Sequence, residues 1–149
     1  MPVAFRKAST EWQGTAAEGS GSTTFVSSQA GGPFPVSLTK RTDQEDKTQT
    51  NPEELIAAAH STCYAMAFSN VLSQNDTPPT KLDVDVRVVL DKAGEGFAIT
   101  KSELTVVGDV PGLDQDQFAK LAADAEQACP VSNVLRGNAE ISLKATLKS

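Results

Sequence analysis

One uncharged segment near the middle of the chain restricts the possible folds most. After Glu54, no Asp, Glu, Lys or Arg occurs up to Gln74. Asn51 is a favoured N-cap, Pro52 suits the first helical position, and Glu54 stands where a capping box requires it, which predicts a helix over residues 52 to about 74. A helix with so few charged positions is normally buried on most sides. It therefore belongs at the centre of the fold or in a subunit interface.

The apolar positions of this helix also predict which face it buries. Residues at helical spacing fall on one side: Ile56, Ala59, Cys63, Met66, Ala67 and Asn70. The segment NDTPPT at residues 75–80 contains two prolines, which cannot continue a helix. We therefore expect this face to pack in the core and the helix to end before residue 75.

The segments around the helix predict an α+β domain. Short polar stretches separated by Gly and Pro predict a meander of strands over residues 3–13, 24–28 and 36–40. Residues 40–50 contain no apolar side chain and predict an exposed loop. Alternating apolar residues predict strands over 82–90 and 97–107, with a turn at 91–96, and a closing strand over 141–147.

A second helix is predicted between the last two strands. Asp114 and Gln117 form an N-cap signature, and the apolar stripe of that helix ends at Cys129. Pro130 interrupts the helix, and a further short helical piece is predicted up to Arg136. With 149 residues and no repeat or linker, we expect a single domain over residues 1–149 with mainly antiparallel strands.

Composition excludes several classes of protein. The formal charge of -6, from 13 basic and 19 acidic residues, argues against a nucleic-acid-binding protein. Two Cys and one His cannot complete a Cys/His zinc site, and two Cys are too few for a secreted disulfide framework. The first ten residues lack a signal-peptide core, and polar residues interrupt the stretch 55–72, which argues against a membrane span. We therefore expect a cytoplasmic protein with reduced thiols.

The two cysteines are the residues most able to carry chemistry. Cys63 and Cys129 lie on the apolar faces of the two helices, where they could meet in the core. Free cysteines are often no more than small buried hydrophobes. A redox role requires a thiolate, and therefore a fixed positive charge near one sulfur. Lys40 and Arg41 are the nearest cations in the sequence before the first helix.

His60 and Glu53 leave alternatives open. His60 precedes Cys63 by three residues, so it is either a polar ring satisfied within an interface or the base of a Cys–His hydrolase or acyl transferase. Glu53 precedes Cys63 by ten residues, a rise of ~15 Å along a helix. It therefore either caps the helix or completes a site in a second subunit. A third alternative is a non-catalytic dimeric stress protein with structural thiols.

Two segments resemble the signature segments of the OsmC/Ohr family, the osmotically inducible and organic hydroperoxide resistance proteins. They are TNPEELIAAAHSTCYAM at residues 50–66 and CPVSNVL at residues 129–135. The stretch LDKAGEGFAITKSEL at residues 90–104 also resembles that family, and the AAAH form of the first segment resembles its OsmC branch. The resemblance covers essentially the whole chain.

The resemblance implies a thiol-dependent peroxidase that reduces organic hydroperoxides in the stress response. It implies an OsmC-like fold, an intertwined homodimer with two long central helices, and active sites at the subunit interface. Cys63 matches the peroxidatic cysteine and Cys129 the resolving cysteine, while Glu53 matches the glutamate that pairs with a catalytic arginine, here Arg41. No cofactor or metal is implied. The reductant would be an external dithiol, namely a lipoylated protein, thioredoxin or a small thiol.

Overall fold

The polar segments near the start of the chain pair into a small antiparallel sheet. In the computed structural model, which describes residues 1–149, this sheet belongs to the first of two units, Met1–Pro52, and the second unit is Glu53–Ser149. The strand order is β1 (Ser9–Gln13), β2 (Ser20–Thr24) and β3 (Phe34–Val36). The predicted meander is confirmed, although two of its strands lie elsewhere than the sequence pattern predicts.

Strand β2 forms in the Gly- and Ser-rich segment, and the prediction of a strand over residues 24–28 is wrong beyond Thr24. A Cβ on Gly21 would collide with the carbonyl oxygen of Glu11, so β1 and β2 approach closely because glycine is there. The following residues instead turn, and the N–H of Gln29 donates to the carbonyl of Phe25 at 2.9 Å. Local strand propensity is overridden here by pairing with β1.

The third predicted strand is wrong after Val36, because Ser37 begins a helical turn. The Ser37 side chain accepts from the N–H of Lys40 and caps α1 (Leu38–Arg41). The next residues are not simply an exposed loop, since the Asp46 side chain is only 4% exposed and lies 3.2 Å from Lys40 Nζ. The Thr48 hydroxyl is the main group that lowers the pKa of Asp46, to about 2. This segment is therefore organised around one buried carboxylate.

The central helix has the predicted bounds, but its buried face differs. Helix α2 (Pro52–Gln74) buries a stripe with a spacing of four residues along its length: His60, Tyr64, Phe68 and Leu72. Cys63 and Ala67 are only half-buried, and Met66 is 68% exposed, so the predicted face is wrong in part. The apolar pattern did not predict this stripe because it contains a histidine, whose ring is buried with hydrogen-bonding partners.

The second unit is built on a mixed three-stranded sheet. Its order is β4 (Lys81–Ala93), β5 (Gly96–Asp109) and β6 (Glu140–Leu147), with β4 and β5 antiparallel and β5 and β6 parallel. Helices α3 (Gln115–Ala128) and α4 (Pro130–Leu135) connect β5 to β6. Because this connection contains helices, the last strand runs parallel to β5. The predicted α+β class and mainly antiparallel pairing are confirmed.

The turn between β4 and β5 is shorter than predicted. Ala93 pairs with Gly96, so only Gly94 and Glu95 lie outside the ladder. Gly94 has a φ of +60°, a conformation that side-chain-bearing residues rarely adopt. Asp91 and Lys92, predicted as turn residues, therefore extend the hairpin instead.

The core of the second unit lies between its sheet and its helices. Phe68 of α2 and Phe118 of α3 have ring centroids 5.1 Å apart, and both are fully buried with Leu104 and Val106 of β5. The Tyr64 hydroxyl donates to the carbonyl of Ala122 at 2.9 Å. The capping box predicted at the start of α3 is present. These contacts fix α2 and α3 on one face of the sheet.

Helix α2 is also long and apolar enough, by length and composition alone, to cross a membrane. The core helix of a globular unit passes the same test. Here the buried stripe of α2 belongs to the same core cluster as β5 and α3, and its histidine hydrogen-bonds to both β5 and α4. These contacts place the buried stripe of α2 in the core of the second unit.

Gly108 of β5 should tolerate no side chain. A Cβ at this position would lie 2.5 Å from two ring atoms of Phe118 and 3.2 Å from Leu82, and the Phe118 ring is held by Phe68. We expect Gly108→Ala to lower the free energy of unfolding by about 1–3 kcal/mol, measured by urea denaturation. Gly96→Ala in the same strand is the control, because its Cβ would meet nothing closer than 3.8 Å. Equal effects would contradict the steric argument.

Candidate active site

The two cysteines meet in the second unit. Cys63 lies near the middle of α2, and Cys129 lies at the junction where α3 ends and α4 begins. Both are free thiols and electrostatic neighbours, since Cys129 helps to raise the pKa of Cys63; Cys129 is fully buried and Cys63 is half-buried. The structure therefore brings together the two residues whose helix positions favour a meeting in the core. Only Cys63 is partly accessible from outside.

The first turn of α4 provides backbone donors to both sulfurs. The N–H of Val131 lies close enough to the Cys63 thiol to lower its pKa, and the N–H of Ser132 donates to Cys129 Sγ at 3.5 Å. The first N–H groups of a helix have no partner within the helix, so they are free to bind other acceptors. Pro130, at the first position, has no N–H to satisfy. Two successive amides of one turn thus hold the two thiols.

The surroundings of Cys63 favour the neutral thiol. Burial raises the pKa of Cys63, the N–H of Val131 opposes this rise, and the neighbouring Cys129 adds to it. The direction follows from desolvation, which disfavours the charged form. A reactive thiolate at this position therefore needs positive charge beyond what Val131 and Cys129 provide.

His60 joins three elements and is not paired with Cys63. Its Nδ1 lies 2.7 Å from the Ser102 hydroxyl on β5, and its Nε2 lies 2.7 Å from the Ser132 hydroxyl on α4. Burial lowers the pKa of His60, although Glu126 acts in the opposite direction, so the site favours the neutral ring. With both ring nitrogens occupied by serines, the interpretation of His60 as a satisfied polar ring is favoured over a Cys–His base.

An ion pair closes the bend that carries Cys129. Arg136, just after α4, donates to Glu126 Oε1 at 2.8 Å and to the side-chain oxygen of Asn133 at 3.3 Å. The Glu126 side chain is 9% exposed and the Arg136 side chain 40%, so the pair is shielded mainly on the carboxylate side. The bend between α3 and α4 is therefore held on both sides of Cys129.

The other predicted site residues lie away from the thiol pair or in the first unit. Glu53 is buried in the first turn of α2, and ten residues of helix separate it from Cys63 by ~15 Å. Arg41 is the last residue of α1 in the first unit. Lys40, the alternative cation, lies 3.2 Å from Asp46 and 3.7 Å from Asp43 within its own segment. The catalytic roles of Cys63, Cys129, Glu53 and Arg41 stay predictions.

Sequence reasoning did not identify the partners of the thiols and of His60. Val131 and Ser132 belong to the CPVSNVL segment, where the sequence assigned a catalytic role to the cysteine alone. Ser102 occupies an inward position of β5, on the same face as the buried Leu104 and Val106. A serine among apolar residues on a buried strand face indicates a buried hydrogen-bonding partner, and this signal could have predicted it.

No group of three or more His, Cys, Asp or Glu side chains is arranged so that it could hold a metal ion. The residues that meet at the bend between α3 and α4 are two thiols beside the backbone amides of one turn. A thiolate attacks an electrophilic atom, and an adjacent thiol can form a disulfide with the product.

The chain is similar to several known proteins. The family described as "OsmC-like protein" matches residues 44–144. The chain is 40% identical to "Peroxiredoxin OsmC" of Escherichia coli over 97% of both chains. It is 36% identical to the "Organic hydroperoxide resistance protein" of Xanthomonas axonopodis pv. citri, over 63% of this chain and 65% of that protein.

Solved structures show the same fold. The organic hydroperoxide resistance protein of Elizabethkingia anophelis superposes with a TM-score of 0.77 at 24% identity, covering 99% of both chains. OhrB of Bacillus subtilis superposes with a TM-score of 0.68 at 25% identity, covering 94% of this chain and 98% of that one. The match to the family over residues 44–144 and the 40% identity along nearly the whole length lead to one conclusion: this chain is a member of the OsmC family.

Proposed function

We propose that this chain is a thiol-dependent peroxidase that reduces organic hydroperoxides to alcohols. The observation that carries the proposal is the contact between the half-buried Cys63 and the fully buried Cys129, because this pair can be oxidised by a peroxide and then cross-linked. The relatives named peroxiredoxin and organic hydroperoxide resistance protein support it. The test is turnover of cumene hydroperoxide with a dithiol reductant, compared between the unmodified protein and Cys63→Ser.

The proposed reaction begins at Cys63, the more accessible sulfur. Its thiolate attacks the distal oxygen of the hydroperoxide, the O–O bond breaks, and the leaving alkoxide takes a proton to become the alcohol. Cys63 is thereby oxidised to a sulfenic acid. The Cys129 sulfur then attacks the Cys63 sulfur, forming the S–S bond and breaking the S–O bond, and the leaving sulfenic hydroxyl takes the Cys129 proton to become water.

An external dithiol returns the pair to its reduced form. One thiolate of the reductant attacks the disulfide to form a mixed disulfide, and its second thiol then displaces the protein sulfur. Because Cys129 is fully buried, the reductant attacks at Cys63. A lipoylated protein, thioredoxin or a small thiol would each provide this chemistry in a cytoplasmic setting.

Arg41 is the proposed activating cation, held in place by Glu53. A guanidinium stays charged at any physiological pH, and a bidentate carboxylate contact fixes its orientation. The alternative, Lys40, already has its ammonium between the carboxylates of Asp43 and Asp46. Arg41 is the proposed cation because its guanidinium presents several N–H donors in one plane, which would favour the Cys63 thiolate and bind the peroxide oxygens.

Replacing Arg41 should raise the pKa of Cys63. Without the guanidinium, burial would favour the neutral thiol, and we expect Arg41→Ala to slow alkylation of Cys63 at pH 7 by ~10-fold. The rate of iodoacetamide labelling as a function of pH measures this change, and Cys129→Ser in the background restricts labelling to one thiol. Lys40→Ala is the matched control and should alkylate normally. Equal slowing in both variants would mean that the total positive charge of this segment, and not the Arg41 guanidinium in particular, lowers the pKa of Cys63.

The proposed active form is a homodimer in which residues 1–149 act as one functional domain. Helix α2 presents apolar side chains to solvent in the single chain, of which Met66 is 68% exposed. A second copy that packs on this face would cover them, and it would bring another Glu53 toward a site that the chain's own Glu53 cannot reach. Light scattering should give twice the mass of the 15.7 kDa chain; a monomeric mass would contradict the dimer.

A further inference from the structure

The proposed cycle uses both thiols but assigns no task to the buried histidine beside them. His60 is fully buried, and its two hydrogen bonds are as short as 2.7 Å. A purely structural role for His60 requires only that each ring nitrogen has a partner. One of the two partners has a further contact, however, because Ser132 lies in the turn of α4 beside both sulfurs.

Helix α2 contacts the first turn of α4 at two neighbouring points. The Cys63 thiol meets the N–H of Val131, and three residues earlier along α2, His60 meets the hydroxyl of Ser132. The N–H of the same Ser132 donates to Cys129 Sγ at 3.5 Å. Ser132 therefore connects His60 of α2, through its own side chain and backbone, to the sulfur of Cys129.

We propose that His60 is a positioning residue for disulfide formation. Through Ser132 it holds the first turn of α4 against α2, and this keeps the Cys129 thiol within reach of Cys63. The inference rests on the proposed peroxidase function, since it concerns the second step of that reaction. In this step the S–S bond forms, the S–O bond of the sulfenic acid breaks, and water leaves.

The contact with Ser102 provides an internal control. Ser102 binds the other nitrogen of the same ring from β5, at the same distance of 2.7 Å and with the same complete burial. Removing either hydroxyl leaves one ring nitrogen of His60 without its partner, so the two losses of stability should be similar. Only the Ser132 hydroxyl links the ring to the turn that carries Cys129.

The experiment separates the two oxidation steps in the full-length protein. Reduced protein is mixed with one equivalent of cumene hydroperoxide and quenched at intervals with a sulfenic acid trap and an alkylating agent. Mass spectrometry then follows the sulfenic acid of Cys63 and the Cys63–Cys129 disulfide over time. The proteins compared are the unmodified chain, Ser132→Ala and Ser102→Ala.

We expect Ser132→Ala to slow the conversion of sulfenic acid to disulfide by roughly 3- to 10-fold, the effect of one lost hydrogen bond. Formation of the sulfenic acid should change by less than about two-fold, because that step does not involve Cys129. Ser102→Ala should leave both rates within about two-fold of the unmodified chain. Equal slowing of disulfide formation by the two variants, or no slowing by Ser132→Ala, would overturn the proposal.

A second variant covers the case in which Ser132→Ala does not fold. His60→Asn places its amide near the position of Nδ1, which faces Ser102, but is too short to reach Ser132 in place of Nε2. It should show the same selective slowing; a normal rate of disulfide formation would overturn the proposal. Failure of the underlying function is recognised separately. If the unmodified chain forms no sulfenic acid at Cys63, the peroxidase proposal fails, whereas normal oxidation in every variant refutes only the role of His60.

Discussion

Cys63→Ser should abolish the reduction of organic hydroperoxides, with turnover falling at least ~1,000-fold. A serine hydroxyl at this position is not ionised near neutral pH and has no neighbouring base, because His60 is occupied by Ser102 and Ser132. The measurement is the steady-state consumption of cumene hydroperoxide with a dithiol reductant. Because Cys63 is only half-buried, replacing its sulfur with the smaller serine oxygen should disturb the packing little.

The matched control is Ser73→Ala, near the end of the same helix. Its hydroxyl donates only to the carbonyl of Ser69, and we expect normal turnover. Urea denaturation of both variants shows whether the fold is kept. If Cys63→Ser retained turnover with a normal fold, the thiols would be packing residues, as in the alternative of a non-catalytic dimeric stress protein.

Cys129→Ser should leave the first turnover intact and then inactivate the protein. Without a resolving thiol, the Cys63 sulfenic acid persists and reacts with a second hydroperoxide to give the sulfinic acid, an irreversible state here. We expect the steady-state rate to fall at least ~10-fold and inactivation to speed up with hydroperoxide concentration. Mass spectrometry should find Cys63 about 32 Da heavier, the mass of two oxygens.

This variant should fold well, which makes the result interpretable. Cys129 accepts the N–H of Ser132 as the N-cap of α4, and serine is a better N-cap than cysteine. The contact with the turn is therefore kept, while the resolving chemistry is lost. Normal cycling of Cys129→Ser, with no added oxygen on Cys63, would mean that the external thiol resolves the sulfenic acid directly and that Cys129 has another role.

Local sequence signals predicted the helices and strands whose ends depend on residues that are close together in the chain. The N-cap signal at Asn51 and the prolines after residue 77 predicted the bounds of α2, and Asp114 with Gln117 predicted the start of α3. Alternation along β4 and β6 was sufficient to place them. Strand β2 was misplaced because its formation depends on the close approach of β1 to Gly21, which is a contact between strands and not a property of the segment itself.

The candidate site was likewise predicted only in part. The positions of Cys63 and Cys129 on their helices, together with the family segments, predicted the pair. The partners of His60 lie 42 and 72 residues away along the chain, so no local pattern could select Ser102 and Ser132. The buried face of α2 was misjudged for the same reason, since a histidine joins an apolar stripe only when distant residues satisfy it.

The meeting of α2 with the junction of α3 and α4 has a thermodynamic consequence for the proposed cycle. A bond between positions 63 and 129 would close most of the second unit, Glu53–Ser149, into one covalent loop. In the chain-entropy description, a cross-link of that span removes freedom from the unfolded chain and stabilises the folded one by ~4 kcal/mol. Oxidation by substrate would then leave the protein harder to unfold, and each reduction would return it to its less stable form.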